Sequence, residues 1–374
     1  MKVKIETIDD VLPFISNENG MVVAERDEYT VVNYAFVNDK TFTNPVACEC
    51  RGLKFDLNGQ ILARPFHKFF NIGERQAPED ISWDQPHVIM DKLDGSMIHP
   101  CILNSRLVFM SRMGETSQAK AAYAVASDAV KSLCLALLAD GITPIFEFTS
   151  PESRIVVSYD KPEITLLALR ETISGSYHNH AELKAVAEHF GVPLVNTFGQ
   201  VKDVKEFVEN GRALKGVEGY VVAFDDGHRV KLKADAYVLR HKALAGVSRE
   251  TNLLAWIVED ALDDVLPILH KDIASQVKYY NDQVLSALSQ RLTEVENFIS
   301  THANSDRREF ASAAQKGLDK RLHSTAFSIL DGRDGREVLV KILKWASHSE
   351  SRVDTVRDLF AMEWSAENLN IRTS

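Results

Sequence analysis

Residues 88–98 read Val88-Ile89-Met90-Asp91-Lys92-Leu93-Asp94-Gly95-Ser96-Met97-Ile98. One apolar run ends at Lys92 and another begins at Met97. The spacing therefore predicts two strands, 88–92 and 97–103, joined through an Asp-Gly turn. A lysine acts as a nucleophile only as the free amine, and a lysine fixed where one strand ends and the next begins is a candidate for that role. Taken alone, Lys-x-Asp-Gly is also an ordinary turn with a solvated lysine.

Further strands are predicted at 29–37, 49–57, 60–65, 107–111, 144–149 and 164–170. Segments 221–224 and 229–233 flank Asp225-Asp226-Gly227, whose turn chemistry reads as a hairpin. Helices are expected over 116–139, stopped by Gly141, and over 181–189, stopped by Gly191. Of 18 Gly and 11 Pro, 15 and 10 fall in residues 1–246. Beyond them, 253–269, 277–299 and 338–346 carry helical spacing with few breakers. The expectation is an α+β protein: a domain of residues 1–246 with largely antiparallel sheets, then a small all-helical domain of residues 247–374.

The 374 residues carry 43 Lys/Arg against 53 Asp/Glu, a net charge of −10. Division at Gly246 gives 27 against 33, a net of −6, and then 16 against 20, a net of −4. Neither half is a basic module that grips a polynucleotide by its backbone alone, so any such contact must be a local groove. The polar start, and the lack of any run of about 18 apolar residues, predict no membrane span and a cytoplasmic protein. Cys48, Cys50, Cys101 and Cys134 lack zinc spacing and read as reduced thiols. The histidines form no metal or triad pattern.

Downstream of Lys92 come Phe109-Met110-Ser111-Arg112-Met113-Gly114, Phe146-Glu147-Phe148, Glu218-Gly219-Tyr220-Val221-Val222 and Lys231-Leu232-Lys233. In this order the sequence resembles the covalent nucleotidyltransferase superfamily of ATP-dependent ligases and capping enzymes. Upstream, 29–36, Glu49-Cys50-Arg51-Gly52 and Lys68-Phe69-Phe70-Asn71 resemble the extra nucleotide-binding segment of the type 1 phage RNA ligases, a family that includes T-even tRNA-repair enzymes. The similarity continues through Asp235-Ala236-Tyr237-Val238 and, more faintly, Asp263-Asp264 and Asp306-Arg307-Arg308. Arg112 stands where the T-even member has a lysine, which keeps the charge and changes the donor geometry.

The resemblance implies a nucleotidyltransferase, ATP-grasp-like ligase domain that joins 5′-phosphate and 3′-hydroxyl ends of RNA, possibly of nicked tRNA, with ATP as AMP donor and Mg2+ or Mn2+. It implies that Lys92, Asp94 and Glu218 carry the chemistry. Tyr34, Arg51, Lys68, Arg112, Glu147, Phe148, Lys231 and Lys233 would bind ATP, with Glu147 on the ribose and Tyr34 or Phe148 against adenine. Glu218 and Asp263 would hold metal, and Tyr237 would meet RNA. In Lys231-Leu232-Lys233 the strand period puts both ammonium groups on one face. Arg308, Lys316 and Lys320, eight and four residues apart, fall near one face of an expected helix and form a cationic strip for RNA, although Asp306, Glu309 and Asp319 interleave with them. Two rivals are an enzyme acting on DNA, disfavoured because an OB-fold needs more turn residues than this C-terminal segment has, and an inactive nucleic-acid-binding relative.

Overall fold

A computed structural model of the chain describes residues 3–74, 81–153 and 156–365. The described chain divides into two compact units, Met1–Val238 and Leu239–Ser374.

The first unit carries three four-stranded sheets. One has the order β1 (Met21–Glu25), β2 (Thr30–Tyr34), β3 (Leu53–Phe55) and β4 (Ile61–Ala63), all antiparallel. The strands β5 (Phe70–Asn71), β6 (His87–Asp91), β7 (Ser96–Leu103), β8 (Arg106–Met110), β9 (Ile142–Thr149), β10 (Glu163–Glu171), β11 (Gly219–Phe224) and β12 (Arg229–Lys233) form the other two. Their orders are β10-β9-β7-β8 and β5-β12-β11-β6, antiparallel except for β12 beside β5. The residues between β6 and β7 therefore cross from one sheet to the other, and Lys92-Leu93-Asp94-Gly95 is that crossover.

Among the described residues five α-helices accompany the sheets, α1 (Pro45–Glu49), α2 (Ser117–Val125), α3 (Asp128–Ala139), α4 (His180–Phe190) and α5 (Val204–Arg212), and α6 (Asp235–Val247) begins in this unit and ends in the next. The first takes Glu49 from the strand expected over 49–57, of which only β3, Leu53–Phe55, forms. Asn44 caps α1 by accepting from Ala47 N and Pro45 opens it, so capping prevails over the apolar alternation there. The helix expected over 116–139 is two helices bent by 113°, because Ala126 is extended and the Ser127 hydroxyl starts α3 by accepting from Val130 N. Phe109, Leu133, Phe146, Phe148 and Leu166 belong to the core between α2, α3 and the β10-β9-β7-β8 sheet.

The second unit is helical. The expected helix over 253–269 ends early as α7 (Glu250–Val258): Asp260 turns to a φ of 54°, α8 (Leu262–Val265) follows, and Pro267 sits in a single 3-10 turn. Then come α9 (Lys271–Thr301), α10 (Arg307–Gly317), α11 (His323–Leu330), α12 (Gly335–Ala346) and α13 (Glu350–Val356). Ile273, Val277, Tyr280, Val284 and Leu288 form one buried stripe on α9 at helical spacing. Among the described residues no single helix is long and apolar enough to cross a membrane, and all four cysteines are free thiols.

Candidate active site

Backbone packing fixes the Lys92 crossover. The Lys92 amide donates to the Gly219 carbonyl, 3.0 Å away, tying the end of β6 to the start of β11. Gly219 has a φ of 138°, and a Cβ there would strike the Leu232 carbonyl. At Gly95 a Cβ would collide with the Phe148 carbonyl. Both glycines let backbone approach where a side chain cannot fit.

Lys92 Nζ lies 2.8 Å from Glu218 Oε2, and Lys233 Nζ lies 2.9 Å from Oε1 of the same carboxylate. Glu218 is 4% exposed, so this one buried acid holds two ammonium groups. Lys231 joins them from the same face of β12, while Leu232 is buried in the core as the alternation requires. Burial, and then repulsion from Lys68, Lys92 and Lys233, pulls Lys231 down to about 7. The free site therefore loses this cation as pH rises through 7. The KM for ATP in protein labelling should climb with pH across that range, and Lys231→Arg, which stays charged, should flatten the climb. An identical KM profile for wild type and Lys231→Arg would rule Lys231 out as the titrating group.

Opposite stands Glu147, whose Oε1 accepts from Gly95 N at 3.2 Å. Burial raises it to about 8, with Glu218 adding to the shift and Lys92 and Arg51 opposing it. At neutral pH its carboxyl is largely protonated in the free site and can donate as well as accept. A cavity of about 200 Å³ opens here, lined by Lys92, Glu147, Arg51, Phe69, Met97 and Leu167 among others.

A second cation group surrounds Tyr34. The Arg112 guanidinium lies 4.8 Å from its ring centroid and Lys68 Nζ 5.9 Å, and Lys68 also sits over Phe42 and Phe70 at 5.2 and 5.4 Å. Burial raises the Tyr34 hydroxyl, but Arg51, Arg112 and Lys68 outweigh it, and the net shift is downward. The structure thus gathers Lys92, Glu147, Glu218, Lys231 and Lys233 with Arg51 and Lys68, and sets Tyr34 and Arg112 beside the latter two.

Other expected residues lie elsewhere. Phe148 is 2% exposed and packed in the core, so its ring cannot stack on a ligand. Asp94, expected among the reacting groups, is 2% exposed and fully engaged. Its Oδ2 accepts from Val156 N and Val157 N, both at 2.7 Å, and its Oδ1 accepts from Tyr237 Oη at 2.7 Å. It anchors the crossover rather than touching reactants. Tyr237, expected on RNA, is 5% exposed and spends its hydroxyl on Asp94; burial and the Glu218 and Asp94 carboxylates push that hydroxyl above its usual range. The Val156 and Val157 amides and Tyr159, whose hydroxyl accepts from Asp94 N at 2.9 Å, complete the anchor, and no sequence motif marks them.

Tyr237→Phe separates the two roles. Loss of the hydroxyl from a buried carboxylate should cost about 1.5–3 kcal/mol and slow labelling by ATP in the absence of RNA. A defect confined to RNA joining would instead favour the RNA contact.

In the second unit Asp263 is exposed, and the described residues contain no group of three or more His, Cys, Asp or Glu side chains able to hold a metal. Arg308 and Lys316 are exposed on α10, but that helix ends at Gly317, and Leu318 is extended. Lys320 falls in a separate 3-10 turn, so the three do not share one helix face.

Residues 49–237 match the RNA ligase family and residues 245–341 match the T4 RNA ligase 1 C-terminal domain. A protein provisionally named RNA ligase in Thermovibrio ammonificans is 26% identical over 84% of this chain and 85% of its own length. RNA ligase 1 of bacteriophage TS2126 is 30% identical over 70% of this chain and 69% of its own. An archaeal ATP-dependent RNA ligase structure, form 1, superposes with a TM-score of 0.46 at 15% identity over 62% of this chain and 63% of that one. Two consecutive family matches along most of the chain, with relatives aligned over most of their lengths, place it plainly: the chain belongs to the T4 RNA ligase 1 family of ATP-dependent RNA ligases.

Proposed function

We propose that Lys92 takes AMP from ATP and that the protein passes this AMP to the 5′-phosphate of RNA before sealing it to a 3′-hydroxyl, in repair of broken RNA such as nicked tRNA. The observation that carries this reading is the Lys92 ammonium on Glu218, beside a cavity and next to Lys68, Lys231 and Lys233.

In the first step the Lys92 ammonium gives one proton to Glu218, 2.8 Å away, and the Nζ lone pair so freed attacks the α-phosphorus. The bond from that phosphorus to the β-bridging oxygen breaks, pyrophosphate departs, and the amine gives up a second proton. Negative charge builds on phosphoryl oxygens, and Arg51, Lys68, Lys231 and Lys233 are the cations positioned to stabilise it. In the second step an oxygen of the RNA 5′-phosphate displaces Lys92 from the AMP phosphorus, and Nζ regains its protons. The 3′-hydroxyl then attacks the 5′-phosphate and AMP leaves. Glu147 is placed to hold a ribose hydroxyl, which its protonated carboxyl can meet from either side of the hydrogen bond.

A divalent cation, Mg2+ or Mn2+, would be held through Glu218, while Glu147, at the wall of the same cavity, is largely protonated and a weaker donor. Hard cations take one or two carboxylates with phosphate oxygens and water, and Asp94 has no oxygen to spare. Such an ion would supply further charge stabilisation at the phosphates. When Lys92 carries AMP its ammonium charge is gone, so Glu218 retains Lys233 alone and is freer to accept another cation.

The test is incubation with α-labelled ATP and magnesium, followed by 5′-phosphorylated RNA: label should appear on protein and then move to RNA. Label that never becomes protein-bound would overturn the reading. Arg51→Ala should weaken labelling by ATP more than joining of RNA already carrying AMP, because the triphosphate is present only in the former. Equal losses in both assays would point to a folding defect. The helical unit is the natural RNA-positioning part, with Arg308 and Lys316 among its exposed cations.

A further inference from the structure

The strand β12 carries a third cation on the face of Lys231 and Lys233. Arg229, two residues before Lys231, is 6% exposed, and its Nε hydrogen has no acceptor. No carboxylate pairs with its guanidinium among the described residues. The group lies 4.0 Å from the Tyr177 ring centroid and 5.4 Å from that of Phe66. Burial pulls it down to about 10, which leaves it cationic at neutral pH.

Its neighbours do not neutralise it. Arg64 and Arg170, 0% and 1% exposed, share one carboxylate, Glu49. Arg170 is otherwise satisfied by the Pro65 and Gly175 carbonyls, at 2.6 and 3.0 Å, and stacks on Tyr177 at 4.6 Å. Of three buried guanidiniums, two thus share one carboxylate and the third, Arg229, has none. A buried charge without a partner is costly, and a site retains one where a ligand supplies the counter-charge.

Arg229 lines the nucleotide cavity and also a larger cavity of about 620 Å³. Lys68, Arg170, His67, His228 and Tyr177 line the latter as well, and Asp226 on the β11–β12 turn is the acid at its wall besides Glu49. Its volume is that of a ligand pocket. His67 is held near 3 by burial and by Arg170, so it stays neutral, and its Nδ1 lies 2.9 Å from Tyr177 Oη. That contact fixes the ring on which both guanidiniums rest.

We propose that this larger cavity is a second phosphate site, centred on Arg229 and reached beside Lys68, that takes a phosphate of the RNA strand or the pyrophosphate released from ATP. The RNA source rests on the ligase reading above; the anion site does not.

The test uses the full chain and two probes, inorganic pyrophosphate and a short oligoribonucleotide with either a 5′-phosphate or a 5′-hydroxyl, in direct binding. Folding is checked by thermal unfolding, and labelling of Lys92 is recorded in parallel. Wild type should bind at least one phosphate probe, and Arg229→Gln should weaken it by about tenfold or more, the loss of one charge-assisted contact. Arg229→Lys should recover part of it. Ser176→Asp, which adds a carboxylate at the wall of the same cavity and exchanges only a hydroxyl contact with Ser174, should weaken it too and decides the matter if Arg229→Gln fails to fold. A loss seen for the 5′-phosphorylated oligonucleotide and not for its 5′-hydroxyl form assigns the site to RNA; a loss seen for pyrophosphate alone assigns it to the leaving group. Unchanged binding of both probes in folded variants overturns the site. Absent labelling of wild-type Lys92 would instead overturn the ligase reading and leave the anion result standing.

Discussion

Lys92→Ala incubated with α-labelled ATP and magnesium, without RNA, will retain no label through a denaturing gel, whereas the wild-type chain will. The expected loss is complete because other nearby amines cannot substitute. Lys233 is committed to Glu218 Oε1, and Lys231 leaves a strand face fixed by Leu232 in the core. Folding should survive. Lys92 is 22% exposed on its side chain, Glu218 keeps Lys233, and the loss of one cation relieves repulsion on Lys231. Because Glu218 keeps Lys233 as its counter-charge, the stability loss is expected to stay below the cost of a buried pair broken outright, about 3–5 kcal/mol. Label retained on folded Lys92→Ala protein would refute the assignment.

Glu49→Gln should cause the largest loss of stability among the substitutions considered. Glu49 Oε1 lies 2.7 Å from Arg170 Nη2 and 3.2 Å from Arg64 Nη2, and Oε2 accepts from Arg64 Nε at 3.2 Å. Removing the one carboxylate strips two buried guanidiniums, Arg64 and Arg170, of their counter-charge, and breaking a buried pair in this way costs about 3–5 kcal/mol. Denaturant unfolding of the full chain, with labelling competence reporting on the first unit, measures it; Glu49→Asp should lose less. A pH series gives an independent sign. Burial raises Glu49, but Arg170 and Arg64 outweigh it and hold its carboxyl below the usual range. Its contribution is therefore present above the unfolded value near 4.5 and disappears as pH falls through the lower folded value. Wild type should lose this stability in acid and Glu49→Gln should show no such loss. Equal stability of the two proteins at neutral pH would show that the guanidiniums do not need the carboxylate.

What the sequence determined by itself is what depends on short spacing. The break at Asp94-Gly95 between two apolar runs, the alternation that puts Lys231 and Lys233 on one face, and the shift from Gly- and Pro-rich strands to helices beyond Gly246 all follow from local periodicity and backbone freedom. The same period puts Arg229 on the face of Lys231. Local signals are decisive in two further segments: Asn44-Pro45 starts a helix before Arg51, and Ser127 divides what reads as one long helix.

Only the tertiary structure decided where long-range partners use up a side chain. Phe148 and Glu147 are adjacent, yet one belongs to the core and the other to the cleft, because the sheet buries a single face of β9 at that point. Asp94 and Tyr237, 143 residues apart in sequence, satisfy each other. Glu49 reads as part of a nucleotide-binding segment and instead compensates Arg64 and Arg170. Lys320 leaves its expected helix face because α10 stops at Gly317. In each case a group's role depends on which distant atoms desolvate it and which hydrogen bonds it has already made, and neither quantity is encoded by neighbours in the sequence.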